Sequence, residues 1–260
     1  YEMTNLSVNV NKIALLRNSR LGNNPSPIEF ARKCLEGGAQ GITVHPRPDL
    51  RHIRPDDLPG LAELTAQFQT ELNIEGNPLE NKNNNYPGFN NLVLLNNPDQ
   101  VTLVPDNSEQ LTSDHGWDLT KLKSVVMENF EIFREKNIRT SIFLDPDIQQ
   151  LEIAKSMNID RVELYTGPFA EAFKSADNKE LKKYQEAILF ANDIDLSLNA
   201  GHDLSLTNLS CLLDYGKIEE VSIGHALVVE SLEFGVSETI NKYLKICLLY
   251  TSDAADEGLG

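Results

Sequence analysis

Two carboxylates stand out by where they lie. Glu75 and Glu163 sit inside the short apolar runs "LNIEG" and "RVELYT", where burying an ionised carboxylate without a partner is costly. An acid in such a place is displaced toward neutral pH and becomes useful for moving protons. Four of the five histidines, His45, His52, His202 and His225, fall at or just beyond the ends of similar runs, and His115 is the exception. Each has a plain structural explanation when taken singly. A strand-end histidine usually makes a hydrogen bond, and a lone arginine such as Arg51 is usually solvated. A fold that gathers these groups into one partly buried mouth gives them perturbed proton affinities, the requirement for general acid–base steps near neutral pH.

The elements that must gather them follow from period and composition. Short β-branched runs at 6–10, 41–45, 72–76, 100–105, 139–144, 161–166, 196–201 and 220–225 read as strands. Between them, segments at 27–37, 55–70, 118–136, 146–157, 178–193, 207–214 and 226–245 read as helices. Ser26 before Pro27, and Asp145 before Pro146, predict helix starts, and the glycines of "LEGGAQG" predict a stop. The Asn-rich stretch 77–91 predicts a loop, followed by a short helix over "FNNLVLLN". Strands and helices in alternation, without hairpin signals, imply parallel pairing through right-handed crossovers. The economical closure is an α/β fold of the (β/α)8 TIM-barrel type, one domain with minor extra helices and loop insertions. An open doubly wound sheet is the alternative, but "VNVNKIALLR" lacks the glycine-rich phosphate turn of such folds.

In a barrel, chemistry sits at the C-terminal strand ends. The first strand delivers Asn9, Asn11 and Lys12 there, the second His45, Arg47 and His52, and the third Glu75. The fourth ends at Asp106, equally a site residue or turn chemistry, and the fifth at Asp145, read as a helix cap; the sixth carries Glu163. His202 and His225 close the last two strands within "NAGHD" and "SIGHA". Gly201 and Gly224 let the backbone approach closely there, where barrels commonly hold phosphate on the N–H groups of a helix start. With Lys12, this predicts two anion sites on opposite sides of the mouth, near Arg20 and Arg47. Metal is the chemical competitor: His45, His202, His225 and Glu75 could form a zinc set, but no HxH or HExxH spacing supports it. No GxSxG turn supports a nucleophilic serine, and no predicted strand carries a Schiff-base lysine.

A chain of 260 residues at 40% hydrophobic can bury a full core. Its net charge of -16 excludes a general nucleic-acid binder, so any anion site must be local. No apolar run reaches the ~18 residues of a membrane span and no charged-then-apolar leader precedes the first strand, so a cytoplasmic location is expected. Cys34, Cys211 and Cys247 show no metal-ligand or CxxC spacing, and Cys34 and Cys211 read as reduced packing residues. "CLLYTSDAADE" resembles the translation of a sequencing adapter. The barrel domain is therefore expected over 1–246, with 247–260 a non-native read-through tail.

The motifs "VNVNKIALLRNSR", "GITVHPRPDLRHI", "LNIEG", "VTLVPD", "RVELYTG", "LNAGHDL" and "SIGHALV" occur in the order and spacing of one family. The chain resembles the pyridoxine 5'-phosphate synthases over residues 6 to 245. The resemblance implies a cytosolic (β/α)8 barrel that condenses 1-deoxy-D-xylulose 5-phosphate with 3-amino-2-oxopropyl phosphate. The products are pyridoxine 5'-phosphate, phosphate and water. It implies proton acceptance by His45 and Glu75, proton donation by His202, and transition-state stabilisation by Glu163. Asn9, Arg20, Gly224 and His225 would contact the amino-ketone phosphate, and Arg47, His52 and Thr112 the deoxyxylulose phosphate. No metal or redox cofactor is implied, the family assembles as homo-octamers, and a mobile loop is expected after "VTLVPD".

Three departures from the family pattern are visible. Many members have Asp-His where this chain has Asn11-Lys12, which favours substrate contact over proton transfer at that position. A glycine that follows NAGH in many members is Asp203 here, so a carboxylate either opposes the bound phosphate or points away. The Asn-rich stretch 77–91 is also longer than usual. Against the synthase stand a phosphosugar isomerase or aldolase-like barrel and a non-enzymatic binding barrel, which would not need the titratable mouth.

Overall fold

The computed structural model describes residues 3–107 and 109–256, with side chains through residue 248. Eight parallel strands close into a barrel, β1 Asn5–Asn9, β2 Gly41–Val44, β3 Glu71–Gly76, β4 Gln100–Leu103, β5 Arg139–Leu144, β6 Arg161–Tyr165, β7 Leu198–Gly201 and β8 Glu220–Ile223. Each strand pairs with its sequence neighbours, and β8 returns to β1 through Val8 opposite Ile223. Helices cover the outside: α1 Asn11–Asn18, α2 Pro27–Glu36, α3 Leu58–Phe68, α4 Phe89–Asn96, α5 Leu119–Arg134, α6 Ile148–Ser156, α7 Gly167–Ser175, α8 Asn178–Asp193, α9 Leu209–Leu213, α10 His225–Phe234 and α11 Val236–Asp256. The α/β (β/α)8 barrel read from the alternation is the fold observed.

The two faces of each strand do different work. Outward residues such as Val8, Ile42, Ile74 and Val101 are fully buried under the helices, against Phe89, Phe130, Phe133 and Phe169. Residues alternating with them fill the barrel and are largely polar, tied strand to strand: Ser7 and Thr43 hydroxyls lie 2.7 Å apart, and Thr102 Oγ1 donates to Asn73 Oδ1 at 3.0 Å. Burial of these groups is tolerable because they satisfy one another.

Several local readings need correction. Helices α1 and α7 were not among those expected: α1 begins at Asn11, among the polar residues at the end of β1, and α7 opens on Gly167 and Pro168. Proline in the first helical turn has no N–H to lose there. The last predicted helix divides at Gly235, whose φ of +80° separates α10 from α11. Asp147, rather than Asp145, caps α6, accepting from Gln150 N, and Asp145 instead accepts from Gly116 N at 3.1 Å. Ser26 caps α2 as read. The expected tail 247–260 lies partly outside the described residues; α11 runs through its start, and Cys247 is fully buried in the core. Among the described residues, no helix is long and apolar enough to cross a membrane.

Candidate active site

The C-terminal strand ends open on a cavity of about 250 Å³. Of the residues expected at the mouth, Asn9, Asn11, Lys12, His45, Arg47, His52, Glu75, Thr112, Glu163, His202, Asp203, Gly224 and His225 all line it. Arg20 does not: it is exposed just beyond the C-terminal end of α1. The cavity also takes in Val104, Leu111, Ser113, Phe143 and Ser222, which sequence reasoning missed. Alternation offered a signal for two of them, since Ser222 lies two residues beyond the inward Glu220 and Phe143 two beyond Ser141.

At the floor, β3 and β6 bring Glu75 and Glu163 together, 8% and 3% exposed. Burial raises both carboxyls, Glu75 to about 8 and Glu163 well above its ordinary value. Each stands within reach of a hydrogen bond to the other, which lowers Glu75 and raises Glu163. Burial thus holds both carboxyls toward the neutral acid, so the pair retains protons at a pH where exposed carboxylates have lost theirs. Asn73 Nδ2 adds a bond to Glu75 Oε1 at 3.2 Å. Gly201 makes room for this arrangement, because a Cβ there would stand 2.2 Å from Glu163 Oε1.

The β2 side of the mouth is cationic. His45 is buried and pushed well below the ordinary imidazole range, by burial first and then by Arg47, His52 and Arg51. Its backbone N–H donates to Asn11 Oδ1 at 2.9 Å, so Asn11 pins the end of β2. His52 falls to about 4 through burial and then the neighbouring charges of Lys12, Arg47 and Arg51. Both rings are thus neutral near pH 7. Asp106, left open between site and turn chemistry, is a buried ion-pair partner: Arg47 Nη2 donates to its Oδ2 at 2.5 Å, and Ser113 Oγ donates to the same oxygen at 2.7 Å. Arg47 Nε and His52 Nδ1 are buried without partners among the described residues, donors and acceptors aimed at no protein group.

Across the mouth, His202 Nε2 stands 2.8 Å from Thr112 Oγ1, joining the loop after β4 to the end of β7. Its Nδ1 stands 2.9 Å from Asp203 Oδ2. The Asp203 carboxylate is thus turned onto the histidine, a position the sequence did not suggest. Gly224 abuts Asn9 at the start of α10, and with His225, the first residue of that helix, it lines the cavity. Among the described residues no three His, Cys, Asp or Glu side chains are grouped as metal ligands would be.

The family model described as "Pyridoxal phosphate biosynthesis protein PdxJ" matches residues 6–248. The chain belongs to this family. The pyridoxine 5'-phosphate synthase of Xanthomonas campestris pv. campestris (strain B100) is 46% identical over 245 residues, covering 94% of this chain and 96% of that one. The protein of the same description from Christiangramia forsetii is 46% identical over 245 residues, covering 94% and 99%. Among solved structures, thiamine phosphate pyrophosphorylase from Pyrococcus furiosus superposes with a TM-score of 0.60 at 14% identity, covering 95% of this chain and 96% of that one. A Mycobacterium tuberculosis tryptophan synthase does so with a TM-score of 0.63 at 11% identity, covering 94% and 93%. These two share the barrel fold.

Proposed function

We infer how the mouth divides the labour of its family's reaction. The chain is a pyridoxine 5'-phosphate synthase, a transferase of vitamin B6 biosynthesis that condenses 1-deoxy-D-xylulose 5-phosphate with 3-amino-2-oxopropyl phosphate. The observation that carries our assignment is the buried Glu75–Glu163 pair, facing histidines on two sides of one cavity.

The amine of one substrate adds to the ketone of the other and loses water to form an imine. Loss of a proton gives the enamine, and phosphate departure, ring closure and aromatisation follow. Each stage moves a proton, and aromatisation drives the sequence. Neutral His45 and the carboxylate form of Glu75 accept protons from substrate carbon and nitrogen, and His202 returns them to departing oxygen. Glu163 keeps its own proton and donates a hydrogen bond to charge that develops beside Glu75. Lys12, Arg47, His52 and Thr112 take the deoxyxylulose phosphate, with Asn11 holding the backbone of His45. Asn9, Gly224 and His225 take the amino-ketone phosphate against the start of α10. Arg20 is assigned to that phosphate by resemblance alone.

We further assign the protein to the cytoplasm, as three free cysteines favour a reducing compartment. Self-association, as the family's homo-octamer, is supported by exposed leucines on α1 and α10, Leu16 at 54% and Leu232 at 83%.

Incubation with both substrates, with pyridoxine 5'-phosphate as the readout and Glu75→Gln in parallel, tests the assignment. Product from the parent and almost none from the variant is the expected result. A fully active Glu75→Gln overturns the role of the pair.

A further inference from the structure

The turn after β7 is bent in an unusual way. His202 has a φ of +89° and Asp203 a φ of +58°, consecutive left-handed residues that both carry a Cβ. Such a conformation persists only where its surroundings hold it. Here they do: Thr166 Oγ1 lies 2.7 Å from the carbonyls of both Gly201 and His202, sharing its one proton between them, and Asn208 Nδ2 donates to the carbonyl of Asp203 at 3.1 Å. The effect of the bend is to fold the Asp203 carboxylate back onto the ring of the residue before it. Oδ2 lies 2.9 Å from His202 Nδ1, and the edge of Tyr165 packs on the same ring with centroids 5.1 Å apart.

We propose that Asp203 is a positioning residue for His202: it accepts from Nδ1–H and so leaves Nε2, the nitrogen beside Thr112, as the one that exchanges protons with substrate. A neutral imidazole has two tautomers, and the hydrogen bond at one nitrogen decides the state of the other. Without Asp203, the ring divides between tautomers and rotates about its own axis. With it, Nε2 faces the cavity in one state. The hydrogen bond from His202 holds the Asp203 carboxyl below its ordinary range, and Lys174 and His225 add to this, so the acceptor stays ionised. Asp203, set among the substrate-contact residues on sequence grounds, takes this role in place of opposing the phosphate. The inference rests on His202 serving as the proton donor, which it does by first taking a proton at Nε2 and then, as the imidazolium held by Asp203, returning it to substrate.

The test compares kcat and KM for both substrates in the parent, Asp203→Ala, Asp203→Asn and His202→Asn, with nitrogen-15 spectra of the His202 ring. Asp203→Ala is expected to lower kcat by about 10- to 100-fold with both KM values little changed, and to show mixed tautomers where the parent shows Nδ1–H alone. Asp203→Asn, whose amide oxygen still accepts from Nδ1–H, recovers part of the loss. A rise in KM for the amino ketone at unchanged kcat overturns the proposal and returns Asp203 to substrate contact. Parental kcat in His202→Asn removes the donor role and the proposal with it. An inactive His202→Asn beside a fully active Asp203→Ala removes the proposal alone.

Discussion

One strand carries a carboxylate at each end of the barrel interior, and the two are treated oppositely. Glu71 and Glu75 lie on β3, four residues or about 13 Å apart. At the bottom, Arg139 Nη1 donates to Glu71 Oε1 at 2.9 Å, its Nη2 reaches the other oxygen, and its Nε donates to Gln100 at 2.8 Å. That two-pronged bond holds Glu71 below the ordinary carboxylate range. At the mouth, Glu75 faces another carboxyl and no cation, and burial drives it up. Arg47, on the same cavity, spends Nη2 on Asp106 and keeps Nε unpartnered among the described residues. Polarity that is matched serves the fold; polarity left unmatched beside a cavity is available to substrate.

The largest effect expected from this contrast is on rate. Glu75→Gln lowers kcat by about 10²- to 10⁴-fold, the range of a general base, while Glu71→Gln leaves kcat within about two-fold and lowers the melting temperature. Equal losses of rate at the two positions would erase the distinction between the ends.

The pH dependence of stability has opposite signs at the two ends. Glu75 is raised from 4.5 to about 8, so its contribution favours folding below the unfolded value and is lost as pH rises through about 8. Glu71 is lowered, so its contribution is present above the unfolded value and is lost as pH falls. Urea midpoints of the parent are expected to fall between about pH 5 and pH 8, and Glu75→Gln to flatten that fall while Glu71→Gln leaves it intact. A parental slope in Glu75→Gln would show that the mouth carboxyl titrates normally. A steric test ranks next: Gly201→Ala places a Cβ 2.2 Å from Glu163 Oε1, at a cost of about 1–3 kcal/mol in stability, with a loss of rate measured in the same preparation.

The barrel was legible because its strands are short β-branched runs separated by helical period, and the mouth because unusual residues recur at strand ends. Contacts between distant strands were not legible. Nothing in "LNIEG" or "RVELYT" tells that β3 and β6, which are not paired, bring Glu75 and Glu163 within hydrogen-bonding reach. Asp106 stayed open between site and turn chemistry because its partner Arg47 lies 59 residues away. Asp145 looked like a cap because Pro146 follows it, yet Asp147 competes for the same helix start and wins. Arg20 carried the family motif without reaching the cavity.

The smallest expected effect separates strain from chemistry at the β7 end. Asp203→Ala removes the hydrogen bond to His202 and keeps a Cβ at φ +58°. Asp203→Gly removes the same bond and relieves the conformation, so it should be more stable than the alanine variant by about 1 kcal/mol in urea unfolding. Against the parent, glycine relieves the strain and loses the bond, which nearly cancel, to within about 0.5 kcal/mol. Both variants are expected to share the same reduced kcat, because neither offers an acceptor to Nδ1. Should glycine restore the parental rate, the bent backbone alone orients His202 and the carboxylate is incidental. A shared loss with unequal stabilities places the strain in the fold and the orientation of the ring in Asp203.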